Sequence, residues 1–218
     1  MEKIIPLSNL AVSKSTDLTR RRYNRIAAFY DQMEWLIEKN VFSDWRSQLW
    51  DQIEADNVLE IGVGTGKNIP YYSANLNFTA VDLSEGMMTK ALTRSEEFNH
   101  SVDFRLMDVE SLTFPADSFD AAVATFVFCS VPDPVKGLRE LGRVVKPGGD
   151  IWLLDHVRVN KPIIGPLMDI FNPLAVRMMG ANINRRTKQN VKLAGLKIHS
   201  TTYLKGEEVQ LIHAGPGQ

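Results

Sequence analysis

Three glycines at alternate positions, Gly62, Gly64 and Gly66, follow the run Val58-Leu59-Glu60-Ile61, and Asp82 ends the next apolar run, Phe78-Thr79-Ala80-Val81. A strand that opens into a glycine turn lets a ligand lie against bare backbone, where a Cβ would collide with it. A carboxylate at the tip of the following strand can accept both hydroxyls of a ribose. The pattern therefore predicts a bound nucleoside-containing cofactor, against the alternative of a glycine turn that merely joins strand to helix. Two familiar glycine loops fail on position. A P-loop needs Gly, four residues, then Gly-Lys-Ser/Thr, but Ile61 stands where the first glycine belongs and Asn68 follows Lys67. The dinucleotide fingerprint needs a third glycine three residues after the second, and that position is Lys67.

What remains, Glu60-x-Gly62-x-Gly64-x-Gly66, resembles motif I of the class I S-adenosylmethionine-dependent methyltransferases. Later segments fit the same family in order: Asp82-Leu83-Ser84-Glu85-Gly86-Met87-Met88, Met107-Asp108-Val109-Glu110, Asp117 to Phe126, and Pro147-Gly148-Gly149. The resemblance covers about three-quarters of the chain. It implies S-adenosyl-L-methionine as cofactor, S-adenosyl-L-homocysteine as product, and no metal. It further implies that Glu60 supports the glycine loop and, directly or through water, the cofactor ammonium. Asp82 would take the ribose hydroxyls, Leu83 and Met87 would border the adenine, and Asp108 would meet the adenine amino group with Val109 beside the ring. Thr125, at the end of the fourth strand, would lie beside the methionine part.

A sulfonium methyl is already activated, so in-line placement of a nucleophile about 3–3.5 Å away supplies much of the rate. A base is needed only where the acceptor must lose a proton. His156, just past the fifth strand, is the candidate base, with a structural histidine as its alternative. Tyr23 and Tyr30 on the first helix could orient an acceptor through their phenolic oxygens, or simply pack. Cys129 is the chain's single cysteine, so no intramolecular disulfide forms, and no basic partner suggests a catalytic thiol.

The segment Tyr23 to Asp31 resembles the N-terminal part of bacterial phosphatidylethanolamine N-methyltransferases and of quinone C-methyltransferases. Phe128-Cys129-Ser130-Val131, Leu154-Asp155-His156-Val157 and Asn184-Arg185-Arg186-Thr187 resemble methyltransferase-like proteins that alkylate small thiols. The ends of the chain are basic. Residues 1–30 hold six Lys/Arg against two acids, and the stretch from His156 onward holds nine against three, although the whole chain carries a net charge of −1. This asymmetry favours an amphipathic acceptor at an anionic membrane surface, with a lipid amine first and a quinone or small thiol next. Solvated charged faces are the alternative. Nothing resembles a nucleic-acid module, and no obligate protein partner is expected. A nicotinamide-dependent oxidoreductase, disfavoured by Lys67, and a non-catalytic cofactor-binding partner are the readings from other classes. No run of about 18 apolar residues and no signal-like N-terminus occur, which predicts a cytoplasmic protein, peripheral on the membrane at most.

Alternating strand and helix patterns position these residues. Strands are expected at 57–61, 77–82, 102–106, 119–125 and 150–155, and closing strands at 196–203 and 208–213. Helices are expected near 67–73, 85–94, 134–145, 166–179 and 184–194. The expectation is an α/β, Rossmann-like, seven-stranded, mostly parallel sheet with helices on both faces and an N-terminal helical cap. Its divisions are a loose segment 1–16, a cap over 17–55 and a cofactor-binding domain over 56–214. Asp17 is the expected cap of the first helix, with Arg20, Arg21, Arg22 and Arg25 crowding its first turns against the dipole. Apolar spacing through Tyr23, Ile26, Ala27, Tyr30, Met33 or Glu34, and Ile37 is expected to run on as one helix. Ser43 or Asp44 would cap a second helix, and the tail 215–218 should fray.

Overall fold

The computed structural model describes residues 12–205 and 208–217. Residues 1–11 of the expected loose segment and Gln218 of the expected tail lie outside them, as do the side chains of Met33, Glu34 and Ile37. Seven strands form one Rossmann-like, mostly parallel sheet in the order β3-β2-β1-β4-β5-β7-β6. The chain forms two compact units, residues 1–113 and 114–218.

In the first unit, β1 (Asn57–Ile61), β2 (Asn77–Asp82) and β3 (Val102–Leu106) pair in parallel, and their bounds match the expected ones. β1 is buried along its last four residues, as a strand covered on both sides must be. The helices are α1 (Lys14–Ile26), α2 (Tyr30–Ile37), α3 (Ser43–Trp50) and α4 (Glu85–Glu97). Ser84 caps α4 by accepting from the Met87 N–H at 3.2 Å. Met87, Met88 and Ala91 bury one face of that helix. Trp50, Tyr72 and Phe78 stack into an aromatic cluster, with Tyr72 and Phe78 parallel at 3.9 Å.

Four expectations need correction here. Ser13, not Asp17, caps α1, so the helix starts earlier and Arg25 falls in its last turn, where the dipole favours a cation. Asp17 instead sits in the first turn and pairs with Arg20 at 2.5 Å and Arg21 at 2.7 Å. The expected continuous helix breaks at a turn over 27–29, separating α1 from α2. No side chain caps α3, because the π-helical segment Glu38–Phe42 runs straight into it. The expected helix at 67–73 shrinks to a 3-10 turn, Ile69–Tyr71, since Pro70 has no N–H to donate and Tyr72 is extended.

In the second unit, β4 (Phe119–Thr125) pairs in parallel with β5 (Val145–His156), and β7 (Val209–Gly215) runs antiparallel to both β5 and β6 (Lys197–Lys205). β5 starts earlier than expected because Lys146–Gly149 is an irregularity within the strand pairing rather than a turn before it. Gly149 has no room for a Cβ, which would lie 2.5 Å from the Asp120 carbonyl oxygen. Helices α5 (Pro134–Val144), α6 (Ile164–Met179) and α7 (Thr187–Leu193) complete the unit. Gly215, expected to fray, closes β7 by pairing with Lys197.

Candidate functional site

The glycine loop of the first unit is built from the end of β1. Gly62, Gly64 and Gly66 have φ of 64°, 57° and 79°, left-handed values that disfavour a side chain. The N–H groups of Gly62 and Val63 both donate to the Val81 carbonyl at the end of β2. Gly66 is packed closely: a Cβ there would come within 2.6 Å of Ile69 Cδ1 and 3.0 Å of Ala91 Cα on α4. Gly64 differs, since its Cβ position meets nothing nearer than the Gly62 carbonyl oxygen at 3.9 Å. The loop is thus fixed from behind and presents open backbone at Gly64.

Asp82 stands beside that opening. Its Oδ2 accepts from the Gly64 N–H at 2.8 Å and its Oδ1 from the Ser84 N–H at 2.7 Å. Burial raises its pKa, and the N–H groups of Ser84, Gly64 and Leu83 oppose the rise. The carboxylate has about four acceptor sites, so it can still accept from a hydroxyl donor. Asp108, buried in the turn after β3, accepts from the Glu110 N–H at 2.9 Å through Oδ1, with Val109 buried beside it. Leu83 is half-buried, whereas Met87 is 2% exposed and belongs to the core under α4. An open glycine backbone, a two-oxygen acceptor on β2 and a second carboxylate in the turn after β3 fit the sugar and base of a nucleoside cofactor.

Glu60 is 1% exposed. Asn68 Nδ2 donates to its Oε1 at 2.7 Å and the Tyr72 hydroxyl donates to its Oε2. Arg46, itself buried, donates to Asn68 Oδ1 at 2.7 Å and to Glu38 at 2.7 Å. Burial nevertheless dominates and pushes the Glu60 carboxyl to about 7, while the Tyr72 hydroxyl rises well above its ordinary value and stays a donor.

Helices α1 and α2 are tied to this loop by polar contacts that the sequence does not reveal. Asn24 Oδ1 accepts from the Ser84 hydroxyl at 2.6 Å and from the Gly86 N–H at 3.0 Å. Asp31 accepts from Thr65 Oγ1 at 2.6 Å and pairs with Arg94 at 3.3 Å, and Lys67 and Lys90 each lie 3.9 Å from it. Lys67 also sits 5.5 Å from the Tyr30 ring centroid, and Tyr30 lies 6.4 Å from Tyr23. Asn and Asp on a cap helix carry no local motif, so only the fold reveals these ties.

In the second unit, Thr125 is buried at the end of β4 and His156 ends β5. Phe126, next to Thr125, has φ 58°, a strained value for a bulky residue, and its ring stacks on His156 at 4.7 Å. Asp155 precedes His156 and is 2% exposed. Thr187 Oγ1 donates to its Oδ2 at 3.4 Å, and Oδ1 has no hydrogen-bond partner among the described residues. Burial raises the Asp155 carboxyl to about 7 against the pull of Cys129, the His156 N–H, Arg185 and Thr187. Cys129 lies in the turn past β4, and burial first, then Asp155, push its thiol well above the ordinary value, which leaves it unreactive. Asp155 ends an apolar run, Ile151-Trp152-Leu153-Leu154, in the same way that Asp82 does, so its signal was present in the sequence. Among the described residues no group of three or more His, Cys, Asp and Glu is placed to hold a metal ion.

Residues 59–153 match the family described as a methyltransferase domain. The chain is 37% identical over 120 residues to the phosphatidylethanolamine N-methyltransferase of Cereibacter sphaeroides, a stretch that is 54% of this chain and 58% of that enzyme. It is 29% identical over 166 residues to the ubiquinone/menaquinone biosynthesis C-methyltransferase of Bdellovibrio bacteriovorus, covering 73% of this chain and 71% of that one. The fold is also that of geranyl diphosphate C-methyltransferase from Streptomyces coelicolor A3(2), with a TM-score of 0.73 and 14% identity, over 94% of this chain and 99% of that one.

Proposed function

Since the chain is a class I S-adenosylmethionine-dependent methyltransferase, we propose that its acceptor is amphipathic, with the amine of a phosphatidylethanolamine-type lipid as the best fit. The likeness to a bacterial phosphatidylethanolamine N-methyltransferase, at 37% identity, is the observation that carries this choice. When bound, S-adenosyl-L-methionine supplies a sulfonium methyl that needs no further activation.

The chain's own residues supply binding, orientation and proton transfer. Asp82 accepts the ribose hydroxyls, and Asp108 accepts from the adenine amino group with Val109 and Leu83 along the ring. Gly62, Gly64 and Gly66 leave the backbone bare, while Glu60 holds the loop through Asn68 and Tyr72 and bears on the cofactor ammonium directly or through water. Thr125 borders the methionine part. A lipid ammonium must lose a proton before its nitrogen can attack, and that proton passes to an imidazole nitrogen of His156. Tyr23 and Tyr30, on the cap of residues 17–55, orient the acceptor.

Methylation of a quinone precursor at carbon is the second reading, favoured by a likeness that spans more of the chain. A labelled-methyl assay with phosphatidylethanolamine vesicles, a demethylated quinone and a small thiol separates the three. Label in the lipid fraction supports the proposal. Label in the quinone or thiol alone refutes the lipid amine.

A further inference from the structure

Helix α6 rests on small residues and is pinned by polar contacts. Gly165 and Ala175 are buried, Asp169 pairs with Arg158 at 2.9 Å and accepts from Asn184, and Asn172 bonds to Asn182 and to the Ile183 N–H. Its outward residues are large and apolar. Ile163 is 74% exposed, Leu167 45%, Ile170 69% and Leu174 54%, a row at spacings of four, three and four that lies on one helix face. Ile164 and Phe171 widen the stripe, and Arg177 continues the row three residues beyond Leu174.

We propose that this face of α6 docks the enzyme onto a bilayer containing anionic phospholipid, lying flat in the interface with its apolar row among the acyl chains. The inference rests on the lipid-acceptor reading and says where that lipid surface is met. Charge complementarity identifies the occupant. Residues 156–188 hold six Lys/Arg against the single Asp169, which Arg158 already neutralises, and Lys161, Arg177 and Arg186 are exposed. A cationic rim around an apolar stripe attracts anionic headgroups. The same rim opposes a second copy, because a self-complementary contact would bring like charges together. At 16 residues α6 is about 24 Å long, short of a hydrocarbon core of about 30 Å, and no helix among the described residues is long and apolar enough to cross a membrane. Arg177 can lay its aliphatic stem along the stripe and reach a phosphate with its head. The basic α1 is a weaker candidate for this contact, since Asp17 engages two of its arginines.

Co-sedimentation of the full chain with phosphatidylcholine vesicles, with and without phosphatidylglycerol, tests the docking apart from acceptor chemistry, because neither lipid offers a primary amine. Wild type should partition onto the phosphatidylglycerol vesicles in a salt-sensitive way. Leu167→Glu/Ile170→Glu should partition at least tenfold less while showing the same thermal shift with S-adenosylhomocysteine. A Phe171→Cys variant carrying a polarity-sensitive dye should shift to the blue on the same vesicles, Cys129 being buried. Wild-type binding absent or equal to that of the double variant, or a dye emission that does not move, overturns the proposal. So does a wild type that sediments as a dimer where the double variant is a monomer. Docking without methyl transfer to added phosphatidylethanolamine upholds the α6 surface and removes the lipid amine as acceptor.

Discussion

Glu60→Gln tests the physics of the cradle most directly. In the folded chain burial raises this carboxyl from 4.5 to about 7. A raised carboxylate pKa means that the folded state holds the proton more tightly than the unfolded state does. The stability is therefore fully present below pH 4.5, is lost progressively as pH rises from 4.5 towards 7, and then levels off. The full shift corresponds to roughly 3 kcal/mol, most of which falls between pH 5 and pH 8. Asp155, raised to about 7 by its own burial, titrates over an overlapping range, so the wild-type curve alone cannot assign the loss. The difference between Glu60→Gln and wild type can. Glutamine has the shape of the neutral acid, and any mismatch with the donors Asn68 and Tyr72 offsets the difference by a similar amount at every pH. Urea unfolding from pH 5 to pH 8 should show the variant gaining on wild type by about 2 to 3 kcal/mol across that window. A difference that stays within about 0.5 kcal/mol would falsify the reasoning, because Arg46, Asn68 and Tyr72 would then offset the burial of the charge.

Three further outcomes are expected. Asp155→Asn should also gain on wild type with rising pH, by up to about 4 kcal/mol between pH 4 and pH 8; parallel stability curves would show that Asp155 ionises normally. Asp82→Asn should weaken S-adenosylhomocysteine binding by about 10- to 100-fold in calorimetry, as expected for the loss of one charge-assisted hydrogen bond, and unchanged affinity would remove Asp82 from the ribose. Gly66→Ala should destabilise the fold by about 2–4 kcal/mol in urea unfolding, since the new Cβ meets Ile69 and Ala91 and φ is left-handed; a loss under about 0.5 kcal/mol would show that the loop relaxes freely.

By itself the sequence determined the strands and the glycine turn beside Asp82. β1, β2 and β4 follow apolar runs that stop at Gly62, Asp82 and Thr125, and β3 follows the alternation Val102-Asp103-Phe104-Arg105-Leu106. Gly62 to Gly66 and Asp82 were legible for the same reason: the turn and the acceptor are local to two consecutive strands. Helix ends were less legible. Proline at 70 reduced a helix to a single turn, and Ser13 displaced Asp17 as a cap, since caps compete and the winner depends on what the helix packs against. Only the tertiary structure decided the rest. Asn24 and Asp31 reach the cradle across 60 and 34 residues of chain, to Ser84 and Thr65, by contacts that leave no periodic trace. The exposure of the apolar row of α6 was not legible, because periodicity shows that a helix has two faces and not which one the protein covers. Here Gly165 and Ala175 are buried and Asp169 and Asn172 pin the helix, while Ile163, Leu167, Ile170 and Leu174 stay exposed.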